Sequence, residues 1–210
     1  MKSGPSQKPP FFASRDIISK HGHQDRIGSY LRCVLEHNQK INLVSRETSY
    51  EDLLRIAADC LIPFHFLPPL SGKLFDIGPG AGFPSVVLML AFPGAEGILF
   101  ERTKKKAAFL HRMLRLFDLK GEVLDLDFSE AVRGMELSSF DYGFLKLVRP
   151  DRKLLSCALD LLKPSGRFIY FGSLEKAGLD LGSGLEADAF DYYLDDPEQL
   201  RSITAFSKSG

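Results

Sequence analysis

Residues 75–84 constrain the fold of this chain more than any other stretch. They read FDIGPGAGFP, so a short apolar run ends in an acid and three glycines follow at alternate positions. Glycine permits a tight turn and lets backbone N–H groups approach a ligand that a Cβ would hold away. An apolar segment typical of a buried helix comes next, at residues 83–92. The stretch therefore predicts a strand, a ligand-binding turn and a helix, with an ordinary glycine-rich turn as the alternative.

The same strand-then-helix alternation continues along the chain. We predict strands at residues 74–77, 97–100, 121–126, 142–148 and 167–171, and helices at 83–92, 103–117 and 150–162. Residues 163–166 are predicted to form a turn, and residues 189–194 and 201–206 an antiparallel pair at one edge. Such alternation is typical of an α/β fold with right-handed crossovers and helices on both faces of the sheet. We therefore expect a Rossmann-like, mostly parallel seven-stranded sheet with an antiparallel edge.

An added helical element is expected ahead of this core. Residues 11–40 carry one apolar stripe at helical spacing, and residues 42–46 interrupt it. Thr48 or Ser49 can cap a second helix, and Pro63 limits its length. We thus expect a disordered polar tail at 1–10, a helical extension at 11–70 and the core at 71–210.

Composition narrows the class of protein. The formal net charge is zero, so the overall balance indicates neither a nucleic-acid binder nor a membrane-surface protein. A local basic run is nevertheless present, with seven basic residues against two acids from Glu101 to Lys120. The three cysteines lack metal-ligand spacing, which argues against a zinc site and fits a reducing cytosol. With no signal peptide or transmembrane run in the pattern, we expect a cytoplasmic protein without a metal.

The acids around the glycines identify the kind of ligand. Glu101 ends the next predicted strand, 23 positions after Gly78, where a carboxylate can accept both hydroxyls of a ribose; a solvated strand end is the alternative. The glycine spacing is G-x-G-x-G rather than the G-x-G-x-x-G of a pyrophosphate turn. Asp76 would repel a pyrophosphate, but it can bind the ammonium group of a methionine moiety. These features favour S-adenosylmethionine over a dinucleotide, with Asp125 and Asp127 either near the adenine or acting as turn residues.

The chain resembles the bacterial small-subunit ribosomal RNA (guanine-N7) methyltransferases, also called glucose-inhibited division protein B, over roughly residues 11–208. The motifs that carry the resemblance are NLV with Arg46, DC at 59–60, the loop ending in Phe83-Pro84, the segment TKKKAAFL at 103–110, and LLKPSG at 161–166. The Phe-Pro ending is more distinctive than the glycines, whereas many methyltransferases share LLKPSG. The resemblance implies a class I methyltransferase fold.

Several positions depart from the family pattern. The family has an Arg-Ala pair at the end of the fourth core strand, where this chain has Lys146 and Leu147. Lysine keeps the charge but lacks the planar, bidentate fork of arginine. Ile56 occupies the place of a histidine, and residues 170–173 lack the usual lysine. These changes bear on substrate and activity more than on cofactor binding.

The resemblance implies methyl transfer from S-adenosylmethionine to N7 of a guanine, with small-subunit ribosomal RNA or the 30S particle as partner and the protein as a monomer. Lys146 and Asp59 are the expected catalytic residues, although a helix-to-loop hydrogen bond would also explain Asp59. Cofactor contacts are expected from Asp76, Gly78, Gly80, Gly82, Phe83, Glu101, Asp127, Phe128, Ser129 and Lys146. RNA contacts are expected from Lys40, Arg46, Arg102, Lys104, Lys105 and Lys106, unless 104–106 form only a solvated helix face.

Three other functions stay open at this point. A non-catalytic binding module would keep the fold, and the changes at Ile56, Lys146 and Leu147 motivate it. A small-molecule methyltransferase would have a closed pocket over Lys146 rather than an open basic groove. A nicotinamide dehydrogenase is disfavoured by the glycine spacing.

Overall fold

The computed structural model describes residues 8–178 and 185–208. Its strands are β1 (Phe11–Phe12), β2 (Gly72–Ile77), β3 (Ala95–Phe100), β4 (Gly121–Leu124), β5 (Phe140–Leu145), β6 (Leu162–Tyr170), β7 (Leu185–Leu194) and β8 (Asp196–Lys208). Its helices are α1 (Ser14–Lys20), α2 (Gln24–Asn38), α3 (Tyr50–Leu61), α4 (Pro63–Phe66), α5 (Ser85–Ala91), α6 (Lys104–Leu116), α7 (Phe128–Ala131), α8 (Arg152–Leu161) and α9 (Leu174–Ala177), with a 3₁₀ turn at Val132–Gly134. The predicted disordered tail at 1–10 lies mostly outside the described residues.

The strands form one sheet in the order β1-β7-β8-β6-β5-β2-β3-β4. Strand β8 runs antiparallel to both β6 and β7, and the other neighbouring pairs are parallel. The predicted α/β fold with an antiparallel edge is confirmed. The predicted strand count of seven is wrong, because β1 adds an eighth strand in the described part of the chain. Residues 11–12 were expected to be helical, but they pair with β7, where Tyr193 N donates to Pro10 O at 2.9 Å and Asp195 N donates to Phe12 O at 3.0 Å.

The strand order places the ligand-binding edge of the sheet. From β2 the chain moves outward through β3 and β4, and it then returns to β5 on the other side of β2. The order of strands therefore reverses between β2 and β5. In open parallel sheets ligands bind at the carboxyl ends of the strands next to such a reversal. The loop after β2 and the segment after β5 flank this crevice.

The helices ahead of the core are part of the same buried interior. Ile27, Tyr30 and Leu31 of α2 are fully buried and belong to the hydrophobic cluster that includes α5. The predicted helix at 11–40 is divided, because His21, Gly22 and His23 separate α1 from α2. Ser49 caps α3 in a reciprocal pair with Asp52, as one of the two predicted caps. The division of the chain into an extension and a core stays a prediction.

Two predicted boundaries are wrong, one at the carboxyl end of β5 and one at the start of β6. Strand β5 ends at Leu145 instead of residue 148, and Leu147 has a positive φ of 64° that no strand accommodates. The predicted turn at 163–166 lies within β6, where it forms a bulge. Phe140 pairs with Leu162 and Tyr142 pairs with Arg167, so four residues of β6 lie opposite one residue of β5 and three of them are extra.

None of the helices in residues 8–178 and 185–208 has the length and apolar character needed to cross a membrane.

Candidate functional site

The glycine loop after β2 has the geometry that its sequence predicts. Gly78, Gly80 and Gly82 all have positive φ, at 70°, 60° and 91°. A Cβ on Gly78 or Gly80 would meet nothing within 4 Å, so both glycines border open space. A Cβ on Gly82 would instead collide with the side chains of Tyr30 and Val86. Gly78 and Gly80 thus leave the backbone open to a ligand, whereas Gly82 allows close packing against α2 and α5.

Tyr30 supports this loop from below, a role that the sequence alone did not identify. Its hydroxyl, which is fully buried, donates to the carbonyl of Ala81. Its ring packs edge-on against Phe83, with centroids 5.9 Å apart. Phe83 was predicted to contact the cofactor, and here it packs in the core. The sequence signal for this role of Tyr30 is its hydroxyl, a polar atom on the otherwise apolar stripe of α2.

Glu101 joins the end of β3 to the glycine loop. Its Oε2 accepts a hydrogen bond from Gly80 N at 3.0 Å, and its Oε1 accepts one from Thr103 N at 2.8 Å. Each carboxylate oxygen has a second acceptor position. Glu101 is only 5% exposed, yet it lines a cavity. A fixed carboxylate with spare acceptor positions suits a pair of ribose hydroxyls.

Asp76 is a buried acid whose hydrogen bonds are incomplete. Its Oδ2 accepts from Ser85 N at 3.1 Å, whereas its Oδ1 and the Ser85 hydroxyl have no partner. Burial raises the pKa of Asp76 to about 7 from the usual value of 3.8. An orphaned buried acceptor of this kind fits a cationic group such as the ammonium of a methionine moiety.

A cavity of about 570 Å³ lies along the carboxyl ends of β2, β3 and β4. Its lining includes the predicted cofactor residues Gly78, Glu101, Asp127, Phe128 and Ser129, together with Arg102, Arg133, Leu126, Val148, Lys153 and Cys157, which sequence reasoning did not assign to the cofactor site. The Asp127 carboxylate caps α7 by accepting from Ser129 N at 3.0 Å. Gly78 lines this cavity, and Gly80 bonds the cavity-lining Glu101. A side chain at either position would project into open space that a ligand can occupy. The residues present therefore fit the predicted cofactor.

A second polar cluster surrounds the end of β5. The Lys146 ammonium donates to Asp59 Oδ2 and lies 4.1 Å from the centre of the Phe171 ring. Asp59 Oδ1 accepts from the Tyr192 hydroxyl at 2.7 Å and from Arg201 Nη1 at 3.2 Å. Burial alone would raise the pKa of Asp59, but Lys146, Arg201 and Tyr192 outweigh it and hold that pKa below its usual range. Asp59 is therefore an ionised carboxylate enclosed by protein donors.

The two expected catalytic residues thus contact each other. The side chains of Lys146 and Asp59 are 10% and 6% exposed. Tyr192 and Arg201 come from the antiparallel strands β7 and β8, which no sequence motif connects with Asp59. Burial raises the pKa of Tyr192, so its hydroxyl keeps the proton that it donates.

The predicted RNA-binding residues lie on neighbouring elements. Arg102, Lys104 and Lys105 are exposed at the start of α6, and Lys106 is half-buried. Lys40 and Arg46 are exposed after α2. The His37 ring of α2 lies 5.3 Å from the Phe109 ring of α6, so these two groups of cations border the same pair of helices. Arg102 also lines the cavity and lies 3.8 Å from Asp127.

Solved structures share this architecture. The chain is similar to a putative O-methyltransferase from Klebsiella pneumoniae, with a TM-score of 0.63 and 14% identity, covering 86% of this chain and 90% of the other. It is also similar to an O-methyltransferase from Bacillus cereus solved in complex with SAH, with a TM-score of 0.63 and 16% identity, covering 86% and 91% of the two chains. At such identity the likeness concerns the fold.

Sequence comparisons identify the family. The chain is 29% identical over 191 residues to the ribosomal RNA small subunit methyltransferase G of Syntrophomonas wolfei, covering 87% of this chain and 89% of the relative. It is 30% identical over 155 residues to the protein of the same name from Chlorobium phaeobacteroides, covering 73% and 68%. The model of the GidB family, described as rRNA small subunit methyltransferase G, matches residues 23–183. The chain therefore belongs to the rRNA small subunit methyltransferase G family.

Proposed function

We propose that this protein methylates N7 of a guanine in small-subunit ribosomal RNA, and that it does so as a cytoplasmic monomer acting on the RNA or on the 30S particle. As a member of its family, the chain is an S-adenosylmethionine-dependent rRNA methyltransferase. The base, the atom and the form of the substrate are the proposed part.

The observation that carries the proposal is the open end of β5 beside the cofactor cavity. A small-molecule methyltransferase would need a pocket closed over Lys146. The two residues that follow Lys146, Leu147 and Val148, are instead 94% and 49% exposed. An open surface next to the cavity favours a large substrate that presents one base.

The cofactor would be held by residues at three points of the crevice. Asp76 would bind the methionine ammonium, Glu101 the ribose hydroxyls, and the segment 127–129 the adenine. The positive φ values of Gly78 and Gly80 would let the backbone approach between them. When bound, S-adenosylmethionine supplies an electrophilic methyl group on a sulfonium sulfur.

The reaction requires the protein to orient the two reactants, and it requires no general base. Guanine N7 has a free lone pair, so the protein must hold it in line with the methyl carbon and the sulfur. The purine becomes more positive as the bond from N7 to the methyl group forms, and a bare lysine beside it would oppose that change. Asp59 balances the charge of Lys146. We propose that Asp59 acts by positioning and neutralising Lys146, whose other N–H groups remain suitable donors for the substrate.

The basic residues would position the RNA through its phosphates. Arg102, Lys104 and Lys105 lie beside the cavity, and Lys40 and Arg46 extend the positive surface along α2. Contacts to phosphates carry affinity without base specificity and weaken with added salt. This arrangement suits a target base that is already in a loop or is turned out of a helix.

Methyl transfer from labelled cofactor tests the proposal directly. The purified protein is incubated with 30S subunits and with naked small-subunit rRNA, and the RNA is digested to nucleosides. Label in 7-methylguanosine is the expected result, and Glu101→Ala should lose it together with affinity for S-adenosylhomocysteine. A wild-type protein that binds S-adenosylhomocysteine but labels neither RNA would favour the non-catalytic binding module.

A further inference from the structure

Leu147 is the most unusual residue at the mouth of the cavity. Of the described residues other than glycine, four have positive φ: Asp118, Ser138, Leu147 and Asp195. Aspartate tolerates the left-handed region because its short polar side chain can bond locally, whereas a leucine there is strained. The Leu147 side chain is also 94% exposed, so no packing inside the protein compensates for the strain.

The neighbours of Leu147 are apolar and border the cofactor cavity. Val148 and Leu126 both line the cavity, and they are 49% and 47% exposed. Lys146, on the other side of Leu147, is held by Asp59. We call the exposed side chains of Leu126, Leu147 and Val148 the apolar rim, since Leu126 and Val148 line the cavity and Leu147 directly precedes Val148. Strained backbone that displays an apolar side chain beside a binding crevice points to a functional contact.

We infer that this apolar rim is the contact surface for a base of the RNA substrate, with Leu147 covering the face of the base that leaves its stack. The inference rests on the proposed function and adds the residues that receive the base. A nucleotide turned out of its stack loses apolar contact with its neighbours, and an inserted leucine is one of the side chains that replace such contacts.

The charges around the rim fit a nucleotide better than an apolar protein surface. Three exposed cations, Arg102, Arg133 and Lys153, line the same cavity as Val148 and Leu126, together with the acids Glu101, Asp127 and Asp151. Arg102 lies 3.8 Å from Asp127, which leaves Arg133 and Lys153 as the cations best placed for phosphates on either side of a bound base. Apolar side chains with cations beside them match the two parts of a nucleotide, namely the face of the base and its phosphates.

The test compares Leu147→Gly with Leu147→Met and with Leu137→Ala. Glycine adopts a positive φ freely, so Leu147→Gly removes the side chain without harming the fold, and its melting temperature should equal or exceed that of the wild type. Leu147→Met keeps an apolar side chain of similar volume. Leu137 is 62% exposed and lies before the amino end of β5, whereas Leu147 lies after its carboxyl end. Its alanine variant is therefore the control for loss of an exposed leucine elsewhere.

Each variant is measured for melting temperature, for its Kd for S-adenosylhomocysteine, and for kcat and KM with whichever RNA substrate the wild type methylates. We expect Leu147→Gly to raise KM for RNA or lower kcat/KM by tenfold or more, with an unchanged cofactor Kd. We expect Leu147→Met and Leu137→Ala to stay within threefold of the wild type.

Kinetics of Leu147→Gly equal to those of the wild type would overturn the inference while leaving the proposed function intact. A loss seen with 30S subunits but absent with naked RNA would overturn it in favour of a protein partner. A wild type without any methyl transfer would overturn both proposals.

Discussion

At the scale of single residues, the proposed cofactor site includes a carboxylate that is costly to ionise. Asp76 is 1% exposed and its Oδ1 has no partner within the protein. Burial of the charge raises its pKa to about 7. The same feature that destabilises the ionised carboxylate in the empty protein makes it a strong partner for a cation that enters the site. Ligand binding and the protonation of Asp76 should therefore be coupled.

Cofactor affinity should increase with pH through the pKa of Asp76. Below about 7 the carboxyl is protonated and must lose its proton to pair with the ammonium of S-adenosylhomocysteine. Calorimetric titrations from pH 6 to pH 8 should show Kd falling by up to about tenfold per unit in the lower part of this range. Asp76→Asn should bind more weakly and show little of this dependence. Parallel pH profiles for wild type and variant would contradict this account.

Asp76 should also affect the stability of the protein without ligand. Its folded pKa is raised above the unfolded value, so the folded state binds the proton more tightly. The free energy of unfolding should therefore fall as pH rises from about 4 to about 7, with the favourable contribution complete at the acidic end. Urea unfolding of the wild type against Asp76→Asn isolates this difference. A difference that stays constant across that range would show that Asp76 titrates normally.

Tyr30→Phe tests the support beneath the glycine loop. The variant removes a buried hydroxyl and leaves the Ala81 carbonyl without its donor. We expect a loss of about 1–3 kcal/mol in the free energy of unfolding, measured with urea. Tyr142→Phe is the control, because the Tyr142 hydroxyl makes a longer bond of 3.4 Å to Pro68 O. Equal losses of unfolding free energy in the two variants would contradict a specific role of Tyr30 in supporting the glycine loop.

At the scale of elements, the antiparallel hairpin β7–β8 connects α3 with the end of β5. Tyr192 and Arg201 approach Asp59 from strands 133 and 142 residues further along the chain. Lys146 approaches the same carboxylate from the crevice side. A buried carboxylate with three donors holds these elements in one arrangement, and removing Asp59 leaves Lys146 without its counter-ion.

A double-mutant cycle measures this connection. Asp59→Asn should lower the free energy of unfolding by about 3–5 kcal/mol, because the buried Lys146 loses its counter-ion. Lys146→Met should cost less, since Arg201 and Tyr192 still bond Asp59. The double variant should lose less stability than the sum of the two single losses, which corresponds to a coupling free energy above about 1 kcal/mol between Asp59 and Lys146. The exposed pair Arg15–Glu51 is the control, and its coupling should stay below about 1 kcal/mol. Additive effects at Asp59 and Lys146 would contradict the cluster.

At the scale of the whole molecule, sequence reasoning succeeded where the signal is local. The glycine spacing and the alternation of strands with helices predicted the α/β fold and the position of the glycine loop after β2. Contacts formed only by the tertiary fold were not predictable, such as Tyr30 under Ala81 or Arg201 beside Asp59. The conformation of Leu147 was also missed, because a leucine in a predicted strand gives no sign that its φ will be positive.

Ligand binding should stabilise the molecule as one unit, since the crevice is lined by residues at the ends of β2, β3 and β4 and by residues of α7 and α8. With S-adenosylhomocysteine at a hundred times its Kd, the expected gain is about 2.7 kcal/mol in the free energy of unfolding. Thermal unfolding with and without ligand measures it. Glu101→Ala should show little of the gain, and a full gain in that variant would show that the ligand binds elsewhere.

We expect the crevice to methylate a guanine of small-subunit rRNA in the cell. This is tested by mapping 7-methylguanosine in the rRNA of cells that have the protein, of cells that lack it, and of cells that carry Glu101→Ala. One guanine of the small subunit should be methylated in the first cells and unmethylated in the other two. Identical 7-methylguanosine maps in all three would contradict it.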